Sequence, residues 1–178
     1  MYSFGGRKDS TVMDEPFYAA YLAKTGTLHP MQNEILASQF QDPDMVARQL
    51  LAPTDRPIFY QKHMTQHMVD GVPRGWMAHV TNVFLIRHPA RVVASYAKKR
   101  DGPQLDDIGF RQQVELFDHV TSLGQTPLVI DSHDIRDDPK GMMHKLCNAL
   151  NLPWDLGMLR WPSGGHASDG VWASHWYG

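Results

Sequence analysis

The 178-residue chain predicts an α/β fold with a largely parallel sheet. Three observations point there. Apolar runs of strand length, such as Val83-Phe84-Leu85-Ile86 and Leu128-Val129-Ile130, are unbroken rather than alternating, as suits strands buried on both faces. Stretches with helical spacing follow these runs. The chemically loaded residues Asp14-Glu15, Lys62-His63 and Arg87 fall where the runs stop, at the carboxyl ends where open parallel sheets bind ligands.

Taken in order, residues 1–4 read as the last turn of a helix ended by Gly5-Gly6. Thr11-Val12-Met13 is a short strand that stops at Asp14-Glu15-Pro16. Residues 17–24 then have helical spacing up to Gly26. The two acids read first as charges at a helix N-terminus and second as site residues. Residues 29–42 are irregular and polar, a surface excursion or lid. Residues 43–51 form a helix with Met45, Val46, Leu50 and Leu51 apolar, and 52–56 a turn. The strand at 57–60 delivers Gln61-Lys62-His63, and 71–76 is a loop into a short helix.

Residues 81–100 carry the strand 83–86, then Arg87-His88-Pro89. Proline at the first helical position has its φ preset and gives up no useful donor. Val92, Val93 and Tyr96 recur at helical spacing, Lys98-Lys99-Arg100 sit where the dipole favours cations, and Asp101-Gly102-Pro103 stops the helix. A strand running into a helix N-terminus, with the arginine fork of Arg87 at the junction, is suited to an anion. Ser95, eight residues on, adds a hydroxyl. The plainer alternative is a salt-bridged arginine and a serine facing water. Residues 108–123 form an amphipathic helix with Phe110, Val114, Phe117, Val120 and Leu123 on one face, ended by Gly124. A strand at 127–130, a polar turn at 131–138 and a helix at 139–150 follow. In the tail, 161–178, Asp169-Gly170-Val171-Trp172 and His175-Trp176-Tyr177 either close over an acceptor pocket or pack on the domain's flank. No repeat or linker divides residues 1–178, which are expected to form a single domain.

A formal net charge of −2 argues against a general nucleic-acid or membrane-surface binder. The single cysteine, Cys147, excludes an intrachain disulfide and reads as a small buried residue. No apolar run approaches a membrane span and no signal peptide opens the chain, so a cytoplasmic protein is expected. His63 and His67 have the i, i+4 spacing of a metal pair on a helix, but no glutamate follows His63 and no third ligand stands out. Structural histidines, or acid–base work by one of them, fit better, and no metal is expected.

Arg87-His88-Pro89 with Ser95 resembles the 3′-phosphate-binding segment of sulfotransferases that use 3′-phosphoadenosine 5′-phosphosulfate. The stretches DEPFY, YQKHM and DGVWA resemble those of bacterial sulfotransferase-like proteins. The resemblance implies a three-layer α/β/α, P-loop NTPase-like fold. It also implies sulfuryl transfer from that donor to the hydroxyl or amine of a small-molecule acceptor. Arg87 and Ser95 would hold the 3′-phosphate. The family's Lys-x-His strand end has a histidine as base and a lysine at the departing phosphate oxygen. Here Lys62 and His63 are adjacent and His67 follows, so the base falls to His63, His67 or Glu15. Asp134 is read as structural. The family also needs a glycine-containing loop around the 5′-phosphosulfate. Gly5-Gly6-Arg7 is no substitute, so that loop and the first strand are expected upstream of Met1, which leaves the chain as given inactive. Two rivals stand beside this reading. One is a non-catalytic, partner-dependent nucleotide-binding module. The other is a pyridoxal-phosphate enzyme of branched-chain-aminotransferase-like type, for which Lys62 is the only strand-end lysine and has no companion set.

Overall fold

The computed structural model describes residues 1–98, 104–161 and 163–176. The expectations placed on Lys99, Arg100, Asp101-Gly102-Pro103 and Tyr177 lie outside the described residues. The chain forms two compact units, Met1–Trp76 with Asp155–Gly178, and Met77–Trp154.

The first unit begins with the short helix α1, Tyr2–Gly5, and the strand β1, Ser10–Asp14. The turn at the start is helical as expected, but Gly6 has φ −74°, so it is not a left-handed cap. Its glycine serves close approach instead: a Cβ there would meet the carbonyl of Gly157. Helix α2, Tyr18–Thr25, does end in a left-handed glycine, Gly26 at φ 66°, whose N–H closes on Leu22 O. Helix α3, Gln32–Ser38, stands where an irregular excursion was expected. Its N-cap makes no side-chain bond, and it is held by burial of Ile35 rather than by any signal at its start. Helix α4, Pro43–Leu50, is locally encoded: Asp42 accepts from Asp44 N–H and proline holds the first turn. Strand β2, Ile58–Lys62, runs parallel to β1 with Ser10 opposite Ile58 and Asp14 opposite Lys62.

The second unit is built on β3, Val83–Ile86, parallel to β4, Leu128–Asp131, with Ile86 opposite Asp131. Helix α5, Pro89–Tyr96, follows β3 with proline in its first turn. Helix α6, Phe110–Ser122, buries Gln112, Leu116 and Val120, a stripe rotated from the expected one. Val114 is exposed, and Phe117 meets Phe84 edge-on at 5.5 Å between ring centroids. The expectation that β3 is buried on both faces is also corrected. Phe84 is buried, whereas Val83, Ile86 and Leu85 (54 % accessible) are exposed; among the described residues the strand pairs with one other strand, β4. Residues read as a polar turn form helix α7, Ser132–Asp137, started by the Asp131 carboxylate on His133 N–H at 2.8 Å. Helix α8, Pro139–Ala149, is capped the same way by Asp138 on Gly141 N–H, and buries Cys147.

The chain then returns to the first unit, ending in α9, Ala173–Trp176. Its approach places Trp172, 1 % accessible, in a core with Tyr18, Ala19, Tyr21, Leu22 and Ile35. The parallel pairing predicted from unbroken apolar runs is present in both sheets.

Candidate active site

Two parallel strands that end in register bring their terminal side chains together. Asp14 closes β1 opposite Lys62, the last residue of β2. Lys62 Nζ lies 3.3 Å from Asp14 Oδ1 and in direct contact with Glu15 Oε1. Both carboxylates are buried and the lysine is partly so. Burying two acids is tolerated only where charge and hydrogen bonds compensate, and Lys62 supplies compensating charge to both.

Glu15 is held in a conformation its sequence does not favour. Its φ is +42°, left-handed for a residue with a side chain, and it precedes Pro16, which biases a residue toward extended backbone. Strain of this kind costs on the order of 1–3 kcal/mol and persists where surroundings over-determine it. Here they do: Glu15 N–H donates to Lys62 O at 2.8 Å, and its carbonyl accepts from Tyr18 N–H at 3.0 Å and from Gln39 Nε2 at 3.1 Å. Gln39 also accepts from Ala19 N–H at 3.1 Å. One glutamine thus ties the strained residue to the start of α2.

The two histidines occupy different settings. His67 is buried between Tyr18 and Tyr21, stacked at 4.5 and 4.9 Å, with Nε2 4.0 Å from Glu15 Oε2. Burial, then the charge of Lys62 and the neighbouring His29 and His63, hold its pKa well below the usual histidine value. His63 stacks on Trp76 at 4.8 Å, and its Nε2 lies 3.3 Å from Gln61 Oε1. Burial, then Lys62, push it down to about 4. His67 sits in a 3₁₀ turn, Thr65–His67, so the i, i+4 spacing does not place the pair on a helical face. Among the described residues no group of three His, Cys, Asp or Glu could hold a metal ion.

Arg87 and Ser95 belong to the second unit. Arg87 follows β3 and is exposed, and Ser95 is exposed on α5. His88 Nδ1 accepts from Ala90 N–H at 3.2 Å, so one first-turn donor of α5 is already engaged. Arg7, by contrast, is a buried structural arginine that pairs through two nitrogens with Asp9 at 2.8 and 2.9 Å. That pairing lowers the Asp9 pKa.

Of the residues the sequence singled out, the structure thus gathers Glu15, Lys62 and His67, and turns His63 toward Trp76. Sequence reasoning undervalued Asp14, although the acid pair at a strand end was its signal. It had no signal for Gln39, which lies in the stretch read as irregular.

The model of the sulfotransferase domain matches residues 1–178. The chain belongs to the sulfotransferase domain family. It is also similar to two proteins of Arabidopsis thaliana, branched-chain-amino-acid aminotransferase-like proteins 2 and 1, at 31 % and 32 % identity over 178 residues. The match covers 99 % of this chain and 32 % of each relative, so the chain spans about a third of their length. No solved structure matches it. For a sulfotransferase domain the Asp14–Glu15–Lys62 cluster is the arrangement of interest. It offers a carboxylate to receive a proton and an ammonium to meet developing negative charge, both on strand ends. Among the described residues no helix is long and apolar enough to cross a membrane.

Proposed function

We propose that this domain transfers a sulfuryl group from 3′-phosphoadenosine 5′-phosphosulfate to a hydroxyl or amine of a small-molecule acceptor, in a cytoplasmic setting. The observation that carries the reading is Lys62 shared between Asp14 and the strained Glu15, within a chain matched throughout by the sulfotransferase domain. In such a transfer the sulfur–oxygen bond to the donor's phosphate breaks as a bond from sulfur to the acceptor atom forms. The leaving phosphate oxygen takes the electron pair and the acceptor loses a proton. Most of the protein's work is positioning and charge stabilisation, as in phosphoryl transfer.

Glu15 fits the base best among the three candidates. Its carboxylate is the one in direct contact with Lys62, and its backbone is fixed from both sides. His67 is enclosed by two tyrosine rings, and His63 at a pKa of about 4 is a weak proton acceptor near neutral pH. Lys62 moves from Glu15 to the departing phosphate oxygen, which frees the carboxylate as the proton arrives. Asp14 keeps the lysine aimed during the exchange. Arg87 and Ser95 hold the 3′-phosphate, where an exposed guanidinium at a strand end is available to a ligand.

A calorimetric titration with adenosine 3′,5′-bisphosphate, paired with a sulfuryl-transfer assay on a protein carrying this domain, tests the reading. Saturable binding with turnover supports it. Binding without turnover favours the non-catalytic module instead, and the absence of binding overturns the assignment.

A further inference from the structure

The first unit contains a cavity of about 620 Å³ that the proposed chemistry does not yet use. Its volume is that of a small-molecule site. Its wall includes the two sequence neighbours of Glu15, Asp14 and Pro16, together with Gln39, Asp169 and Trp172. Among the described residues, no lysine, arginine or histidine lines it. The wall is therefore acidic, the wrong sign for a phosphosulfate and the right sign for a cation.

Asp14 is already committed, to Lys62 and to the N–H of Gly170 at 3.3 Å. Asp169 is not. Its Oδ2 accepts from Tyr2 O–H at 2.9 Å and from His166 N–H at 2.7 Å, both neutral donors. Its Oδ1 is buried and has no hydrogen-bond partner, and the same is true of the Nε1–H of Trp172. A buried carboxylate oxygen left without a donor is costly, more so than a neutral acceptor, because the charge itself is desolvated. The indole is fixed in place by the core on one side and by Gly170 on the other, where a Cβ would meet its ring. Trp172 and Phe40 add aromatic rings to the lining, surfaces that attract a cation further.

We infer that this cavity is the acceptor site and that it selects an acceptor carrying an ammonium group, anchored on Asp169, with its hydroxyl or second amine at the end of the wall formed by Asp14 and Pro16. The word acceptor rests on the sulfotransferase reading; the selection by charge rests on the cavity alone.

Three probes of one body separate the possibilities: aminohexanol, hexanol and hydroxyhexanoate, which end in an ammonium, a methyl and a carboxylate. Binding to the whole chain is measured by calorimetry and by nuclear magnetic resonance of the tryptophan indole N–H signals. Aminohexanol is expected to bind saturably and shift one indole signal, and hydroxyhexanoate to do neither. Asp169→Asn should weaken aminohexanol by roughly 10- to 100-fold, the range for a charge-assisted bond. Because that variant alters a partly buried residue, Gln49→Lys provides a second reading. Gln49 lines the cavity from an exposed position on α4, and the added charge should weaken the cation several-fold while leaving the fold intact. Equal binding of hexanol, binding of hydroxyhexanoate, indifference to both variants, or no binding of any probe would overturn the inference. The adenosine 3′,5′-bisphosphate titration in the same samples reports separately on the sulfotransferase assignment.

Discussion

The two halves of the proposed chemistry are built in opposite ways. The cluster of Asp14, Glu15 and Lys62 is enclosed and cross-bonded: two buried carboxylates share one lysine, and the strained backbone of Glu15 is fixed from Lys62, Tyr18 and Gln39. The Arg87–Ser95 segment is open, with an exposed arginine at a strand end and an exposed serine on a helix that buries none of its residues. The difference corresponds to a division of labour. A group that handles a proton needs a fixed position and a tuned setting, whereas a group that captures a phosphate from water gains from being exposed and flexible until the ligand arrives. Substitutions in the first region should therefore affect turnover and stability together, and those in the second should affect binding alone.

The largest effect expected is at Glu15. Glu15→Gln keeps the shape and removes the proton acceptor, so turnover in a protein carrying this domain should fall about 10²–10⁴-fold. Adenosine 3′,5′-bisphosphate affinity should be preserved. If His63→Ala gives that loss and Glu15→Gln does not, the base is the histidine.

Acid should separate the two regions next. In the unfolded chain His63 takes up its proton near 6.5, and in the folded chain only near 4. Between these values the unfolded state carries more protons, so stability is complete above about pH 6.5 and is lost as pH falls toward 4. A displacement of that size corresponds to about 3 kcal/mol. His67 acts in the same direction. Urea midpoints measured across that range should drop, and His63→Phe, which keeps a ring against Trp76, should flatten the fall. A midpoint independent of pH in the wild-type chain would contradict the enclosed setting of both histidines.

At Arg87 the expectation reverses. Arg87→Ala should weaken adenosine 3′,5′-bisphosphate by about 2–3 kcal/mol, the range for a charge-assisted contact. The urea midpoint should stay within about 0.5 kcal/mol of wild type, as for an exposed position without packing. Unfolding of this variant would mean that the arginine supports structure rather than ligand.

Much of this was legible because it is written in adjacent residues. Apolar runs that stop at Asp14, Lys62 and Arg87 announced the strand ends, and Pro43, Pro89 and Pro139 announced helix starts. What was missed depends on distant partners. Helix α3 has no capping signal and is held by Ile35 in a core completed by Trp172, more than a hundred residues on. The buried stripe of α6 follows Gln112, which no apolar pattern would select. Helix α7 was hidden by its own polarity, although Asp131 followed by Ser132-His133 is a capping sequence. The conformation of Glu15 ran against its local signal, since the following Pro16 favours extended backbone. At Glu15 the local rule failed because tertiary bonds overrode it, and Glu15 belongs to the candidate site.

The smallest effect sharpens the comparison most, because it separates a ligand group from a surface serine. Ser95 lies on α5 in an exposed position, two turns beyond Arg87. Alanine is the better helix former by a few tenths of a kcal/mol, so Ser95→Ala should leave stability unchanged or raise it slightly. If the hydroxyl donates to the 3′-phosphate, its removal should cost about 1 kcal/mol of binding, roughly a fivefold weakening. The loss should vanish when adenosine 5′-phosphate replaces the bisphosphate, because the contacted group is then absent. Combining Ser95→Ala with Arg87→Ala gives the decisive measurement. Two groups on one phosphate should be coupled, so the serine should matter less once the arginine is gone. Strict additivity, or an equal loss with the monophosphate, would place Ser95 outside the phosphate site and leave Arg87 to act without it.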